Sequence, residues 1–115
     1  MLNYQKGDII SVDLGTPPIE SKGHEQAFTR PCVVLKSFNH LKLLIVIPFT
    51  TKNPSYNSYT VVKVLKGSGG LTTDSFALCH QIKTISIERV VKRIGRLDQK
   101  NLIKIQAVLI DTLEL

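Results

Sequence analysis

The chain of 115 residues is long enough for one domain with its own core, and its 43% hydrophobic content excludes a disordered chain. Its longest apolar run, residues 43–49, is far shorter than the roughly 20 residues that a membrane-spanning helix needs. The net charge of +6 favours an anionic partner, either a nucleic acid or an acidic protein. We therefore expect a single domain over residues 1–115 that does not enter a membrane.

The N-terminal residues lack the basic start and apolar core of a signal peptide, so we expect a cytoplasmic protein. Cys32 and Cys79 both lie in apolar, strand-like sequence, which favours two buried thiols over a disulfide. Two cysteines and three scattered histidines do not form a zinc-binding pattern. The sequence therefore predicts neither a metal site nor a cofactor.

The first half of the chain predicts three strands. Residues 7–14 alternate between apolar and polar side chains, which indicates a half-buried first strand. The polar segment 16–29 is long for a connection in a compact domain, so we expect a functional loop there. The second strand is predicted at residues 30–36, before a hairpin turn at 37–40, and the third at 42–49, buried on both faces.

The second half predicts further short strands and one helix. In chain order we expect an exposed loop at 50–57, a strand at 60–65, a flexible glycine turn at 67–70, a strand at 75–81, a helical turn at 86–89 and a strand at 90–94.

The C-terminal segment changes to helical periodicity. Asp98 is a suitable N-cap, and apolar residues follow at helical spacing. The predicted apolar stripe consists of Leu102, Ile105, Leu109 and Leu113, widened by Ile103 and Val108. Short strands without repeated βαβ units, followed by one helix, predict a mainly β fold. We expect an SH3-like antiparallel β-barrel with a C-terminal helix.

A polar loop leads directly into the second strand and carries chemically useful side chains. His24, Glu25 and Gln26 lie in this loop, and Arg30 stands at its end. Pro31 follows at a position where a proline costs no ladder hydrogen bond, so it marks the beginning of the strand. An arginine at a rigid strand end beside an imidazole, a carboxylate and an amide suits the handling of a phosphodiester.

Three segments together carry a resemblance to a known family. They are residues 7–10 with 23–26 and 29–31, residues 46–51 and residues 74–85, with the sequences GDII, GHEQ, TRP, VIPFTT and DSFALCHQIKTI. Their order and spacing resemble the MazF/PemK family of toxin endoribonucleases from bacterial type II toxin–antitoxin pairs. The resemblance implies an SH3-like barrel, a homodimer, metal-independent cleavage of single-stranded RNA, and inhibition by a cognate antitoxin.

The resemblance also implies catalytic residues. Arg30 matches the family's catalytic arginine at the start of the second strand, and Thr50 matches its catalytic threonine at the end of the third. His24 matches a catalytic histidine of the PemK-like branch. That branch has an arginine and an aspartate where this chain has Leu78 and His80. The PemK set therefore does not carry over whole, and the MazF-like pair of Arg30 and Thr50 is the safer assignment.

These residue types suit RNA cleavage, because the 2′-hydroxyl of RNA supplies the nucleophile. Arg30 offers a permanently charged fork for the phosphorane oxygens, and Thr50 can donate a hydrogen bond to one of them. Proton transfer at neutral pH needs a group such as imidazole, and both His24 and His80 are possible. Contacts to RNA are predicted for Glu25, Gln26, Lys52, His80 and Gln81.

Two other functions compete with this prediction. A gyrase-poisoning toxin of the CcdB type shares the barrel and acts by binding protein, but it needs no arginine–threonine pair at these strand ends. A non-catalytic RNA-binding barrel is disfavoured because only 6% of the residues are aromatic and no strand is rich in aromatic residues for base stacking. RNA cleavage in the presence of EDTA separates the nuclease from both alternatives.

Overall fold

The computed structural model of the chain describes residues 3–15, 29–54 and 59–115. These residues form seven strands and one α-helix. The bounds are Asp8–Asp13 (β1), Thr29–Phe38 (β2), Leu43–Thr50 (β3), Val61–Val64 (β4), Ser75–Leu78 (β5), Lys83–Ser86 (β6), Val90–Arg96 (β7) and Gln99–Leu113 (α1). The predicted mainly β class with one C-terminal helix is confirmed.

The strands form one antiparallel sheet in the order β4-β5-β3-β2-β1-β7. β3 lies at the centre. It pairs with β2 along one side, while on the other side its first half pairs with β6 and its last two residues pair with β5. The two end strands, β4 and β7, do not pair with each other in the described ranges, so the sheet is barrel-like without closing.

Both faces of the sheet carry apolar side chains. On one face Ile9, Val33 and Phe49 pack with Leu102 and Ile105 of α1. On the other face a second cluster consists of Tyr4, Ile10, Val12, Cys32, Val34, Leu44, Val46 and Ile85. The prediction that the third strand is buried on both faces is confirmed. The prediction that the first strand is half-buried is wrong, because Ile9 and Ile10 are buried on opposite faces.

Several observed element boundaries differ from those predicted from the sequence. The predicted fifth strand ends at Leu78, since Cys79–Gln81 form a 3₁₀ turn. β6 was not predicted, because only one of its four side chains, Ile85, is buried and so short a segment shows no period. The predicted hairpin turn at 37–40 lies later, as a 3₁₀ turn at Asn39–Leu41 that ends on Lys42 in the left-handed conformation.

The helix begins as predicted but buries a narrower stripe. Asp98 caps it by accepting a hydrogen bond from the backbone N–H of Asn101 at 3.2 Å. Leu102 and Ile105 are buried, and Val108 and Leu109 pack partly against the same cluster. Ile103 and Leu113, however, are 55% and 44% exposed. Ile103 lies about 100° around the helix from Leu102, which turns it away from the sheet.

Both cysteines are buried free thiols, as predicted. Burial raises the pKa of Cys32 to about 12 and that of Cys79 to about 11. Both thiols therefore stay protonated in the folded protein at neutral pH.

A buried carboxylate joins β1 to β7. Asp8 is 1% exposed, and it accepts hydrogen bonds from the guanidinium groups of Arg93 and Arg96 and from the backbone N–H of Gln5. Two cations and a backbone donor compensate the cost of burying this charge. The described residues include no helix that is both long and apolar enough to cross a membrane.

Candidate functional site

The site lies where the start of β2 meets the end of β3. Arg30 pairs with Val12 of β1, and the β2–β3 ladder runs up to the pair Cys32–Pro48. Because the strands are antiparallel, Arg30 and Thr50 both lie two residues beyond that pair, at the same end of the sheet. Thr50 is also paired with Phe76 of β5, so the pairing of four strands, β1, β2, β3 and β5, fixes the two residues.

A cavity of about 390 Å³ opens at this end of the sheet. We call it the first pocket, and it is lined by Thr29, Arg30, Pro31, Phe49, Thr50, Thr51, Lys52 and Ser75. It brings together three predicted site residues, Arg30, Thr50 and Lys52. The charged side chains among these lining residues are both cationic, with no aspartate or glutamate. Such a pocket favours an anionic ligand.

Thr50 is oriented by the turn that follows it. Its hydroxyl oxygen accepts a hydrogen bond from the backbone N–H of Lys52 at 3.3 Å. A hydroxyl can accept and donate at once, so the proton of Thr50 remains able to donate to an anion in the pocket. The local turn therefore holds the side chain while leaving its donor function available.

Arg30 lies near the buried thiol of Cys32. The positive charges of Lys83 and Arg30 oppose the rise in the pKa of Cys32, which places that thiol within reach of both cations. Burial has the larger effect and raises this pKa to about 12. Cys32 thus stays neutral at physiological pH and does not cancel the charge that Arg30 presents to the pocket.

Of the other predicted site residues, His80 and Gln81 are not brought to this pocket. His80 lies in the 3₁₀ turn after β5, where its Nδ1 is 2.7 Å from the hydroxyl oxygen of Thr60. Since Thr50 pairs with Phe76, residues after Phe76 run back along β3 and away from Thr50, so His80 and Gln81 do not line the pocket. His24, Glu25 and Gln26 lie outside the described residues, and their roles remain predictions.

A second cavity, of about 340 Å³, lies on the other side of the same strand end. We call it the second pocket, and it is lined by Ser11, Thr29, Arg30, Pro31, Gly70, Leu71, Thr72, Lys92 and Ile94. The two pockets share Thr29, Arg30 and Pro31 as a common wall. The charged lining residues of the second pocket, Arg30 and Lys92, are again both cationic.

Ser75 and Lys92 line the pockets but were not predicted as site residues from the sequence. Ser75 is buried at the start of β5 and reaches the first pocket only through the β3–β5 pairing. Lys92 reaches the second pocket through the β1–β7 pairing. Ser75 lies in the segment 74–85 that carries the family resemblance, but the resemblance assigned it no role. Lys92 has no neighbouring motif in the sequence, so only the strand order identifies it.

One side of the second pocket is formed by the turn that contains Gly70, and close contact between glycines holds this turn in place. The turn that contains Gly69 and Gly70 lies against β7 at Gly95. A Cβ atom on Gly95 would overlap the carbonyl group of Gly69. Only glycine therefore fits at position 95 while the turn remains where it lines the pocket.

In the described part of the chain, His, Cys, Asp and Glu side chains do not gather into groups of three or more that could hold a metal ion. The first pocket is lined by guanidinium, ammonium and hydroxyl groups.

Similar structures come from mycobacteria and Deinococcus. An endoribonuclease in complex with its cognate antitoxin, from a mycobacterial species, superposes with a TM-score of 0.77 at 17% identity, covering 98% of this chain and 97% of that chain. The toxin MazF-mt6 of Mycobacterium tuberculosis gives a TM-score of 0.72 at 22% identity, with coverage of 94% and 97%. MazE–MazF of Deinococcus radiodurans gives 0.75 at 20% identity, with 97% and 96%.

These structural similarities show a shared fold. A comparison with curated protein sequences finds no match. The family model described as PemK-like, MazF-like toxin of type II toxin–antitoxin system matches residues 5–113, which is nearly the whole chain. The chain therefore belongs to the PemK-like, MazF-like family of toxins from type II toxin–antitoxin systems.

Proposed function

We propose that this toxin is a sequence-selective endoribonuclease that cuts single-stranded RNA, including messenger RNA, and thereby inhibits translation and growth. The observation that carries the proposal is the first pocket, where Arg30, Thr50 and Lys52 meet at one end of the sheet. Family membership supports the same activity. We expect a cytoplasmic protein whose single domain spans residues 1–115.

The proposed reaction uses the RNA's own 2′-hydroxyl and needs no metal ion. The 2′-oxygen attacks the adjacent phosphorus and loses its proton to a base, while the bond from phosphorus to the 5′-oxygen breaks and that oxygen takes up a proton. The products are a 2′,3′-cyclic phosphate and a 5′-hydroxyl. Arg30 stabilises the extra charge on the phosphorane oxygens, and Thr50 donates a hydrogen bond to one of them. Lys52 binds a neighbouring phosphate.

The base in this proposal is His24, because its unperturbed pKa of about 6.5 suits proton transfer at neutral pH. His80, the other possibility, hydrogen-bonds with Thr60 away from the first pocket. Glu25 and Gln26, in the same predicted loop as His24, are proposed to contact bases. His24→Ala should lower the cleavage rate far more than His80→Ala, and the reverse order would assign the base to His80.

The activity is tested by incubating the purified protein with a long unstructured RNA in the presence of EDTA. We expect cleavage at a recurring short sequence, with 5′-hydroxyl ends. Loss of cleavage on addition of EDTA, or a 5′-phosphate on the product, would refute the proposed mechanism. An intact RNA together with growth arrest would favour the alternative of a CcdB-like toxin that acts by binding protein.

We further propose that an acidic antitoxin segment controls the toxin by covering the first pocket. Two of the similar structures are assemblies, one of an endoribonuclease with its cognate antitoxin and one of MazE with MazF. The cationic side chains of Arg30 and Lys52 complement an acidic segment, and charge attraction speeds the encounter. Antitoxin and RNA should then compete, and association should slow as salt rises. A ternary complex in which RNA still reaches Arg30 would contradict inhibition by overlap.

A homodimer is proposed as the working form. The helix α1 presents exposed apolar side chains at Ile103, Ile110 and Leu113, which a second copy can cover. Sedimentation at micromolar concentration should report a dimer, whereas a monomer at that concentration would contradict the proposal.

A further inference from the structure

We propose that the second pocket binds the nucleotide next to the one cleaved, and that Lys92 holds its phosphate. This inference rests on the proposed ribonuclease function and extends the site across the sheet to a residue that the family resemblance did not identify. Lys92 would act as a positioning residue through substrate binding, without taking part in proton transfer.

The two pockets are continuous with each other. The two pockets share Thr29, Arg30 and Pro31, so a ligand that reaches Arg30 from the first pocket can continue into the second. Their volumes, about 390 and 340 Å³, are similar, and each lies within the range of pockets that hold small organic groups. A polymer bound across Arg30 would therefore place successive units on either side of the shared wall.

The strand register places Lys92 in a row with residues of the shared wall. Ser11 of β1 pairs with Pro31 of β2 on one side and with Lys92 of β7 on the other. Side chains of residues paired in register point to the same face of a sheet. Pro31, Ser11 and Lys92 thus form one row across three strands, with Lys92 roughly 10 Å, or two strand spacings, from Pro31. This row runs from Pro31, in the wall that the two pockets share, across the second pocket to Lys92.

Positive charges are distributed along both pockets. Lys52 lines the first pocket, Arg30 lines both and Lys92 lines the second, and their side chains carry the only charges among the described lining residues of the two pockets. Three cations distributed along two joined pockets match an extended polyanion better than a single anion. Ser11 and Thr72 add hydroxyl groups beside Lys92 that can donate to phosphate or sugar oxygens.

The proposal is tested by measuring the affinity of the full chain for a short 2′-O-methyl oligoribonucleotide, which lacks the nucleophile and stays intact. Lys92→Ala should weaken binding on the order of fivefold and should reduce the slope of log affinity against log salt by about 0.7. Lys92→Arg should restore both. With cleavable RNA, Lys92→Ala should raise KM and leave kcat near the wild-type value.

The matched control is Lys36→Ala, another exposed lysine on a strand of the same sheet. Lys36 lies on the far half of β2 and lines neither pocket. Lys36→Ala should leave the RNA affinity and the salt slope unchanged. Thermal unfolding of Lys36→Ala and Lys92→Ala establishes that both variants are folded. Equal affinity and salt slope in the wild type, Lys92→Ala and Lys36→Ala would overturn the proposal.

A second measurement locates the contact. Once a cleavage site has been mapped, oligonucleotides in which single phosphates are replaced by neutral methylphosphonates are bound to the wild type and to Lys92→Ala. Substitution of one phosphate next to the cleaved bond should abolish the effect of Lys92→Ala, and substitution of a different phosphate should abolish the effect of Lys52→Ala. If no single phosphate substitution abolished the effect of Lys92→Ala, the proposal would be overturned.

The outcomes distinguish this inference from the proposed function. If the wild type cleaves RNA but Lys92→Ala behaves as the wild type, only the second-pocket assignment fails. If the wild type binds no RNA, both fail. If Lys92→Ala loses affinity for polyglutamate while its RNA affinity is unchanged, the pocket belongs to an acidic protein segment and the RNA assignment is wrong.

Discussion

At the scale of single residues, the largest effect is expected at Arg30. Arg30→Ala should remove nearly all RNA cleavage and leave the fold intact, because its side chain lines both pockets and lies outside the two apolar clusters. The measurement is the single-turnover cleavage rate, with thermal unfolding as a check on the fold. Arg89→Ala is the matched control, since Arg89 is an exposed arginine that lines neither pocket. Cleavage by Arg30→Ala within about threefold of the wild type would refute the site assignment.

Thr50 should contribute less than Arg30. Thr50→Ala should slow cleavage on the order of 10²-fold, as expected for the loss of one hydrogen-bond donor to the developing charge. Thr50→Ser retains the hydroxyl that accepts from the backbone N–H of Lys52 and, in the proposed reaction, donates to the phosphate, so it should recover most of the rate. If Thr50→Ser were as slow as Thr50→Ala, the methyl group rather than the hydroxyl would matter.

The sequence predicted which residues at strand ends come together in a pocket. It did not predict residues that reach a pocket only through strand pairing. Arg30 and Thr50 lie in two of the segments that carry the family resemblance, and the structure brings them into one pocket. His80 lies in the third segment, yet the antiparallel pairing of β5 with β3 carries it away from that pocket. Lys92 lacks any local signal, because its place depends on which strand pairs with β1.

At the scale of elements, the N-terminus of α1 gives a testable contribution to stability. Hydrogen bonds from the side chain and backbone of Asn101 hold the pKa of Asp98 below its usual value. Asp98→Ala should lower the free energy of unfolding at pH 7 by about 1 kcal/mol, as typical of a lost N-cap. Urea unfolding measures this change. Asp111→Ala, which alters an exposed aspartate near the other end of the helix, should not weaken the protein.

The sign of the pH dependence follows from the lowered pKa of Asp98. Its stabilising effect is present above the unfolded-state pKa and is lost as pH falls through the lower folded-state value. The difference in unfolding free energy between the wild type and Asp98→Ala should therefore shrink on acidification below about pH 4. A difference that stayed constant or grew would show that the charge of Asp98 does not act through this cap.

The elements themselves were predictable in proportion to their apolar periodicity. β3 and the start of α1 carry buried side chains in a regular pattern, and both were found where expected. β6 contributes one buried side chain, and the 3₁₀ turn at Cys79–Gln81 interrupts what the sequence presents as a continuous strand. The width of the stripe on α1 was overestimated, because apolar composition alone does not show which residues face the sheet.

At the scale of the whole molecule, the buried thiols predict how stability responds to alkali. Burial raises the pKa of Cys32 to about 12 and that of Cys79 to about 11, from an ordinary value of 9.0. In the unfolded chain both thiols ionise near the ordinary value, so unfolding releases protons above it. The contribution to stability is complete below about pH 9 and is lost as pH rises toward the folded-state values.

The free energy of unfolding should therefore fall between about pH 9 and 11 more steeply in the wild type than in the double variant Cys32→Ala/Cys79→Ala. The two substitutions leave every other titratable side chain in place, so the effects of those side chains cancel in the comparison. Denaturant unfolding across this range gives the two slopes. Identical slopes would show that the thiols are accessible to solvent in the folded protein.

The contact between Gly95 and Gly69 also limits how the second pocket can vary. Main-chain atoms set the distance between the turn at residues 69–70 and β7. A different residue at position 95 therefore cannot widen or narrow the space between them gradually. If the second pocket binds RNA as proposed, changes of substrate preference there would act through side chains that line it, such as Ser11, Thr72 and Lys92. An attempt to engineer a new RNA preference should randomise those three positions and leave both glycines untouched.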